Sequence, residues 1–309
     1  MVKIRNEVSR AFQRTNNPKM AERDYLECVV LDKLFQDDYI KSSMVFAGGG
    51  TLTKAYSISD RIGQDIDLAC ADFQDIPDSR SKKQLANFKR NFKEFVFDDI
   101  RPRFETILGQ GAGFKIMTDR DWNSLRNEHQ FMSSPTLHLM HPSAFTTDFL
   151  HICVEIIPRK YNPNITSVQT LVPYSLGGSS FGEIPTVAYE QTFWDKVFAL
   201  HSNALARVPH FDEGFSRHYY DVATLSPFVD LSGSAHMLRD ISAHQQKYTT
   251  KDLGLIQSPS SVQLLPDDST LCKLADDYYA MSGAFSKMPE TWTRIVQMLN
   301  ELNQRFKTL

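Results

Sequence analysis

The stretch Met44-Val-Phe-Ala-Gly48-Gly49-Gly50-Thr51-Leu-Thr-Lys54-Ala-Tyr56, followed shortly by Gln64-Asp65-Ile66-Asp67-Leu68-Ala-Cys70, decides how this chain is read. The first segment has the form of a short strand running into a glycine turn, with a helix beginning about Thr51. Three glycines permit positive φ and close approach by another backbone. The amides of a helix start suit a phosphate in that turn, although a GGG turn is also an ordinary structural device. It is not a P-loop, because the GxxxxGK[ST] spacing is absent and Lys54 is misplaced for it. In the second segment, alternation along a strand puts Asp65 and Asp67 on one face and Ile66 and Leu68 on the other. Two adjacent carboxylates on a strand repel each other unless a cation holds them. Magnesium is a hard ion that bridges one or two carboxylates to phosphates, and a solvent-facing pair at a strand end is the alternative.

Upstream, residues 21–36 (AERDYLECVVLDKLFQ) read as a helix with Leu26, Val30 and Leu34 in one stripe. Downstream, residues 81–108 suggest one long helix interrupted near Pro102, and FKIMTD, TLHLMH and HICVEIIP read as strands. In the last of these, Glu155 shares a face with Cys153 and Ile157. A carboxylate among apolar neighbours is costly to bury alone, so either an arginine pairs with it or it faces the same cation as the aspartates. This grammar is that of an α/β (α+β) domain, expected over residues 1–165, with a mixed sheet flanked by helices.

Residues 166–309 read as a mainly helical lobe that completes the active-site cleft. YEQTFWDKVFALHSNAL places Phe193, Val197, Leu200 and Ala204 on one face, and 214–225, 235–247 and 270–281 are further helix candidates. The last helix opens at Pro289 and carries Trp292, Ile295, Val296, Leu299, Leu302 and Phe306 at core spacing. Stretches near 172–186 and 257–268 read as loops or hinges.

Composition excludes several classes. No apolar run in the 309 residues approaches the roughly 20 needed for a membrane helix. The polar start MVKIRNEVSRAF does not resemble a signal peptide, so a cytoplasmic location is expected. The net charge of −3 excludes a globally basic nucleic-acid binder. The stretch from Lys82 to Lys93, with Lys83, Lys89 and Arg90, is the local exception: a solvated helix face or a rail for a polyanion. The four cysteines are scattered and read as small reduced core residues. His138 and His141 are the closest histidine pair, and read as strand-end residues because no cysteine or third histidine stands near them in sequence.

The order of strand, glycine turn, helix, DxD strand and later acid-bearing strand resembles the polymerase-beta-like nucleotidyltransferase superfamily. Within it the chain resembles the AbiEii toxins of type IV toxin–antitoxin (abortive infection) systems. The family's "EKDYxL" helix reads AERDYLECVVL here, and its "FxGGTSLSKAY…RFSEDIDL" block reads FAGGGTLTKAYSISDRIGQDIDL. Its "EKxxAL…RHxYDL" block reads Glu190 to Leu200, then Arg217-His218-Tyr-Tyr220-Asp221-Val. Two departures stand out: the family threonine in the turn is Gly50, and the Ser-Glu before the first aspartate is Gly63-Gln64.

The resemblance implies Mg2+-dependent transfer of a nucleoside monophosphate from an NTP to an acceptor, RNA such as the tRNA 3′ end, with a cognate antitoxin as partner. It implies Asp65 and Asp67 as metal ligands with Glu155 as the third acid. Gly48, Gly49, Gly50 and Thr51 would bind phosphate and Lys196 would contact the triphosphate. Asp221 would orient Lys196 or the acceptor. Arg61 and Arg217 match further family positions, and Arg61 serves equally as a clamp on Asp65 or Glu155. A protein or small-molecule acceptor, or a non-catalytic nucleotide-binding protein, are the other readings.

Overall fold

The computed structural model describes residues 17–63, 65–73, 81–109, 112–126, 134–174, 180–206, 213–248, 256, 258–285 and 290–309. Residues 1–16, Gln64 and Pro289, each given a reading above, lie outside the described residues. Two compact units are present: Met1–Ile76 with Ala86–Val187, and Pro77–Leu85 with Ala188–Leu309.

The first unit is a mixed seven-stranded sheet covered by helices. Helix α1 (Pro18–Leu34) starts where the Asn17 side chain accepts the Met20 amide at 3.2 Å, with proline in its first turn. A short helix α2 (Asp38–Ser43) leads into β1 (Met44–Ala47), the glycine turn, α3 (Gly50–Lys54) and β2 (Asp65–Cys70). Helix α4 (Lys82–Phe95) follows. Beyond it the chain stays helical through a wide π turn (Val96–Ile100), α5 (Arg101–Phe104) and a second π turn (Glu105–Gly109). Pro102, expected to interrupt this helix, sits in the first turn of α5. The widened turn before it accommodates a residue that has no N–H and whose ring crowds the preceding carbonyl. Val96, Ile100, Phe104 and Leu108 therefore continue one fully buried stripe through the irregularity.

Strands β3 (Lys115–Thr118), β4 (Thr136–Pro142) and β5 (Phe149–Pro158), with α6 (Asp119–Arg126) between β3 and β4, match the expected runs. Strands β6 (Thr166–Thr170) and β7 (Glu183–Val187) do not. The first falls in the segment expected to be mainly helical, and the second overlaps the end of a stretch that reads as loop. Both join the sheet, whose order is β3-β4-β5-β2-β1-β7-β6. A boundary at 165 would sever them from β1, which pairs in parallel with β7, so the first unit runs to Val187.

One face of the sheet makes the main core. Phe46, Ile66, Leu68, Leu139, Ile152, Val154 and Ile156 meet Leu26, Val30, Leu31 and Leu34 of α1 and the 96–108 stripe. Each such side chain, when fully buried, contributes about 1.5–3 kcal/mol. On α4, Phe88 and Phe92 are buried, while Lys82, Lys83, Lys89, Arg90 and Lys93 are exposed. Arg90 meets Glu94 at 3.8 Å and Lys93 meets Asp119 at 3.5 Å, as a solvated amphipathic helix would have it.

The second unit is helical: α7 (Tyr189–Ala204), α8 (Arg217–Leu225), α9 (Leu231–Ser234), α10 (His236–Gln246), α11 (Asp268–Ala280) and α12 (Trp292–Phe306). The periodic stripe of α12 is core: Trp292, Ile295, Leu299, Leu302 and Phe306 are buried. Trp194 of α7 stacks on Phe306 and gives its indole N–H to Ser234 Oγ at 2.8 Å. No helix among the described residues is long and apolar enough to cross a membrane.

Candidate active site

Strand pairing sets the acids. In the antiparallel β1–β2 pair Ala47 lies opposite Asp67, and in the parallel β2–β5 pair Asp67 lies beside Glu155 and Asp65 beside Cys153. Neighbouring residues across a sheet share a face, so Asp65, Asp67 and Glu155 stand together on the face opposite the main core. Asp65 is 45% exposed, open enough to take a ligand. The glycine turn closes on this row. Gly48 has φ +72°, and a Cβ placed there would fall 1.7 Å from Asp67 Oδ2 and 2.8 Å from Asp67 Cβ. Glycine is thus required twice at position 48, for its backbone conformation and for the space that the Asp67 carboxylate fills.

The rest of the turn is internally bonded. Thr51 is fully buried, and its hydroxyl donates to the Gly48 carbonyl at 2.7 Å. The amides of Thr51 and Leu52 return to the Gly48 and Gly49 carbonyls. The Thr51 hydroxyl thus locks the turn. The two departures from the family pattern meet each other: a Cβ on Gly63 would lie 3.2 Å from the Gly50 Cα. The turn and the segment before β2 approach so closely that a β-carbon at position 63 would need its neighbour to give by a few tenths of an ångström.

Helix α1 carries the residues that sequence reading missed. Lys54, fully buried at the end of α3, lies 2.9 Å from Asp24 and 2.8 Å from Glu27, both fully buried on α1. Burial alone would lower the Lys54 pKa, but the two carboxylates outweigh it and hold the ammonium above the usual lysine range. Arg23 spans from Glu27 (3.0 Å) toward Asp65 (3.9 Å). Glu22 accepts from Ser143 Oγ at 2.7 Å and from the Ala144 amide at 2.6 Å. The acids of AERDYLE thus tie α1 to the glycine-turn helix and to the β4–β5 connection. The cue was their helical spacing with a lysine three residues beyond Thr51.

In the second unit, Lys196 of α7 is buried and lies 2.8 Å from the fully buried Asp221 of α8 and 3.2 Å from His218 Nδ1. Asp221 therefore pairs with Lys196, and Arg217 gives its guanidinium to the Gly214 carbonyl at 2.9 Å. The start of α8 is fixed by Asp277, which accepts from the amides of Gly214 (2.6 Å) and Ser216 (2.9 Å) and from the Ser216 hydroxyl. Neither His218 nor Asp277 was singled out from the sequence. Arg61 belongs to the first unit and is buried. Thr53 Oγ1 donates to its carbonyl at 2.6 Å, and its amide donates to Ser59 Oγ at 3.2 Å.

The face that carries the acids also carries a histidine–cysteine cluster. His138 lies beside Cys153 in the β4–β5 pairing, and His151 is two residues before Cys153 on β5. The reading of His138 as a strand-end residue is corrected, since pairing supplies the third histidine and the cysteine that local sequence lacks. Cys153 is not a plain core cysteine, and Cys272 is exposed. Burial first, then the Asp65 carboxylate, pushes the Cys153 thiol up to about 12.

A glycine turn against a paired-acid strand, in a mixed sheet joined to a helical unit with a buried lysine–aspartate pair, defines a nucleotidyltransferase-type catalytic chain. Residues 30–306 match the family model described as nucleotidyl transferase AbiEii toxin, type IV TA system, and the chain belongs to that family of nucleotidyltransferase toxins. A cognate antitoxin and an NTP substrate accompany that membership. No curated protein matches the sequence. Among solved structures, the chain is similar to JHP933 from Helicobacter pylori (12% identity, TM-score 0.47, covering 94% of this chain and 93% of that one). It is also similar to the nucleotidyltransferase toxin MenT4 from Mycobacterium tuberculosis H37Rv (12% identity, TM-score 0.47, covering 97% and 98%).

Proposed function

We propose that this toxin transfers a nucleoside monophosphate from an NTP to the 3′ end of an RNA, tRNA being the expected acceptor, in the cytosol and with Mg2+. The observation that carries the reading is the contact of Gly48 with Asp67 in a row that also holds Glu155. The donor set fits Mg2+: carboxylate oxygens only, on one strand face, beside a backbone turn that a side chain would block.

Asp65 and Asp67 would hold the metal, with Glu155 as third acid. Bound Mg2+ supplies neutralisation of the triphosphate and activation of the attacking hydroxyl. The Gly49–Gly50 backbone receives phosphate, Arg23 at 3.9 Å orients Asp65, and Lys196, by its family position, is the triphosphate cation. Asp221 at 2.8 Å and His218 at 3.2 Å hold the Lys196 ammonium in place. Arg61 and Arg217 keep roles as substrate-binding residues through their family positions.

The purified protein, incubated with total RNA, Mg2+ and each radiolabelled NTP in turn, is expected to yield ribonuclease-sensitive label. D67A and K196M should abolish it, and EDTA should do so reversibly. Label that survives ribonuclease identifies a protein or small-molecule acceptor. NTP binding with no transfer under any condition sinks the catalytic reading.

A further inference from the structure

We propose that His138, His151 and Cys153 form a binding site for a zinc-class transition metal, distinct from the carboxylate site. The donor atoms converge. His138 Nδ1 lies 2.9 Å from His151 Nε2, and Cys153 Sγ lies 3.6 Å from His151 Nε2 and 3.9 Å from His138 Nδ1. A tetrahedral zinc with ordinary bond lengths separates its ligands by about 3.3 Å for two nitrogens and about 3.6 Å for nitrogen and sulfur. Shifts of a few tenths of an ångström close the set.

The surroundings are those of a built site. Asp119 Oδ1 lies 3.2 Å from His138 Nε2. It fixes the Nε2–H tautomer and turns the Nδ1 lone pair toward His151 and Cys153, as carboxylates behind metal-bound histidines do. Both imidazoles stack on Trp122, at 5.0 and 4.0 Å between ring centroids, which sets their planes. His138 is buried, and His151 and Cys153 are partly exposed, so an ion has an approach. Two imidazoles and a thiolate are a softer donor set than the carboxylates one strand away, and select zinc-class metals over magnesium. On binding, the sulfur–hydrogen bond is replaced by a sulfur–metal bond and the proton leaves to solvent. Cys153 neighbours Asp65 in the β2–β5 register, so the ion would sit beside the carboxylate row, with water completing four-coordination.

The test is metal binding by the full chain, independent of transferase activity. Metal-free protein dialysed against Zn2+ should take up one equivalent that survives millimolar Mg2+. Co2+ should give the visible bands of a tetrahedral cobalt–thiolate complex. C153S should lose the thiolate band, H138A and H151A should weaken Zn2+ at least tenfold, and C272S and D67N should retain both signals. Thermal melts check that each variant is folded. Absence of stoichiometric uptake, or an unchanged cobalt spectrum in folded C153S, would overturn the proposal and leave the three residues as a hydrogen-bonded relay from Asp119.

Discussion

At residue scale, Gly48 and Lys54 are the most exacting positions. In G48A the backbone must hold a left-handed conformation that costs about 1–2 kcal/mol for a residue with a Cβ, and the methyl group falls on the Asp67 carboxylate. If Asp67 holds the proposed metal, displacing its carboxylate by about 1 Å costs on the order of 100-fold in rate. The expected outcome in a single-turnover labelling assay is a loss of that size, with only a modest fall in melting temperature. Lys54 behaves in the opposite sense. K54M keeps the volume but takes the buried cation away from Asp24 and Glu27, leaving Glu27 its contact with Arg23, and breaking a buried pair from one side costs about 3–5 kcal/mol. Urea unfolding should show that loss whatever happens to activity. A change below about 1 kcal/mol would mean the three charges are not coupled.

At the scale of elements, α7 shows how burial makes stability depend on pH. Burial lowers the pKa of His201 below the usual histidine range, and its Nδ1 accepts the Gln263 amide at 3.0 Å, a role open only to the neutral ring. His141 on β4 is shifted the same way by burial. Between the depressed folded value and the unfolded value of about 6.5, the unfolded chain binds more protons, so stability rises with pH there. The melting temperature should be level above about pH 7 and fall as pH drops below about 6.5, and H201Q should flatten that fall. An identical acid limb in H201Q would assign the effect elsewhere. The Lys196–Asp221 pair, which joins α7 to α8, is a second element-scale device. D221N should abolish transfer while far-ultraviolet circular dichroism still reports a helical chain.

At the scale of the molecule, the apolar core and the proposed catalytic acids lie on two faces of one sheet. The core face is apolar and packs against α1 and the 96–108 stripe, and the opposite face gathers like charges at Asp65, Asp67 and Glu155. D67A removes one of three clustered carboxylates from that face and takes no side chain from the apolar core. It should therefore melt at or above the wild-type temperature while losing transfer, the usual relation between a charged site and stability. A melting temperature several degrees lower would show that Asp67 supports the fold.

The sequence by itself determined what is local and periodic. Alternation at Asp65-Ile66-Asp67-Leu68 put the aspartates on one face, i, i+3, i+4 spacing set the helices of the second unit, and the FAGGGTLTKAY block named the family. Backbone period and chain neighbours suffice for those statements. Tertiary structure alone decided what depends on register and on residues distant in the chain. It set Glu155 beside Asp67, brought β6 and β7 into the sheet, sealed Lys54 between Asp24 and Glu27, and placed His138 against Cys153 and His151. A strand slipped by one residue has the same composition and presents the opposite face, and a buried lysine reads like an exposed one until its partners are known. The glycine turn shows both limits: three glycines announced a tight turn, but only the fold showed that the space left at Gly48 is filled by the carboxylate of Asp67.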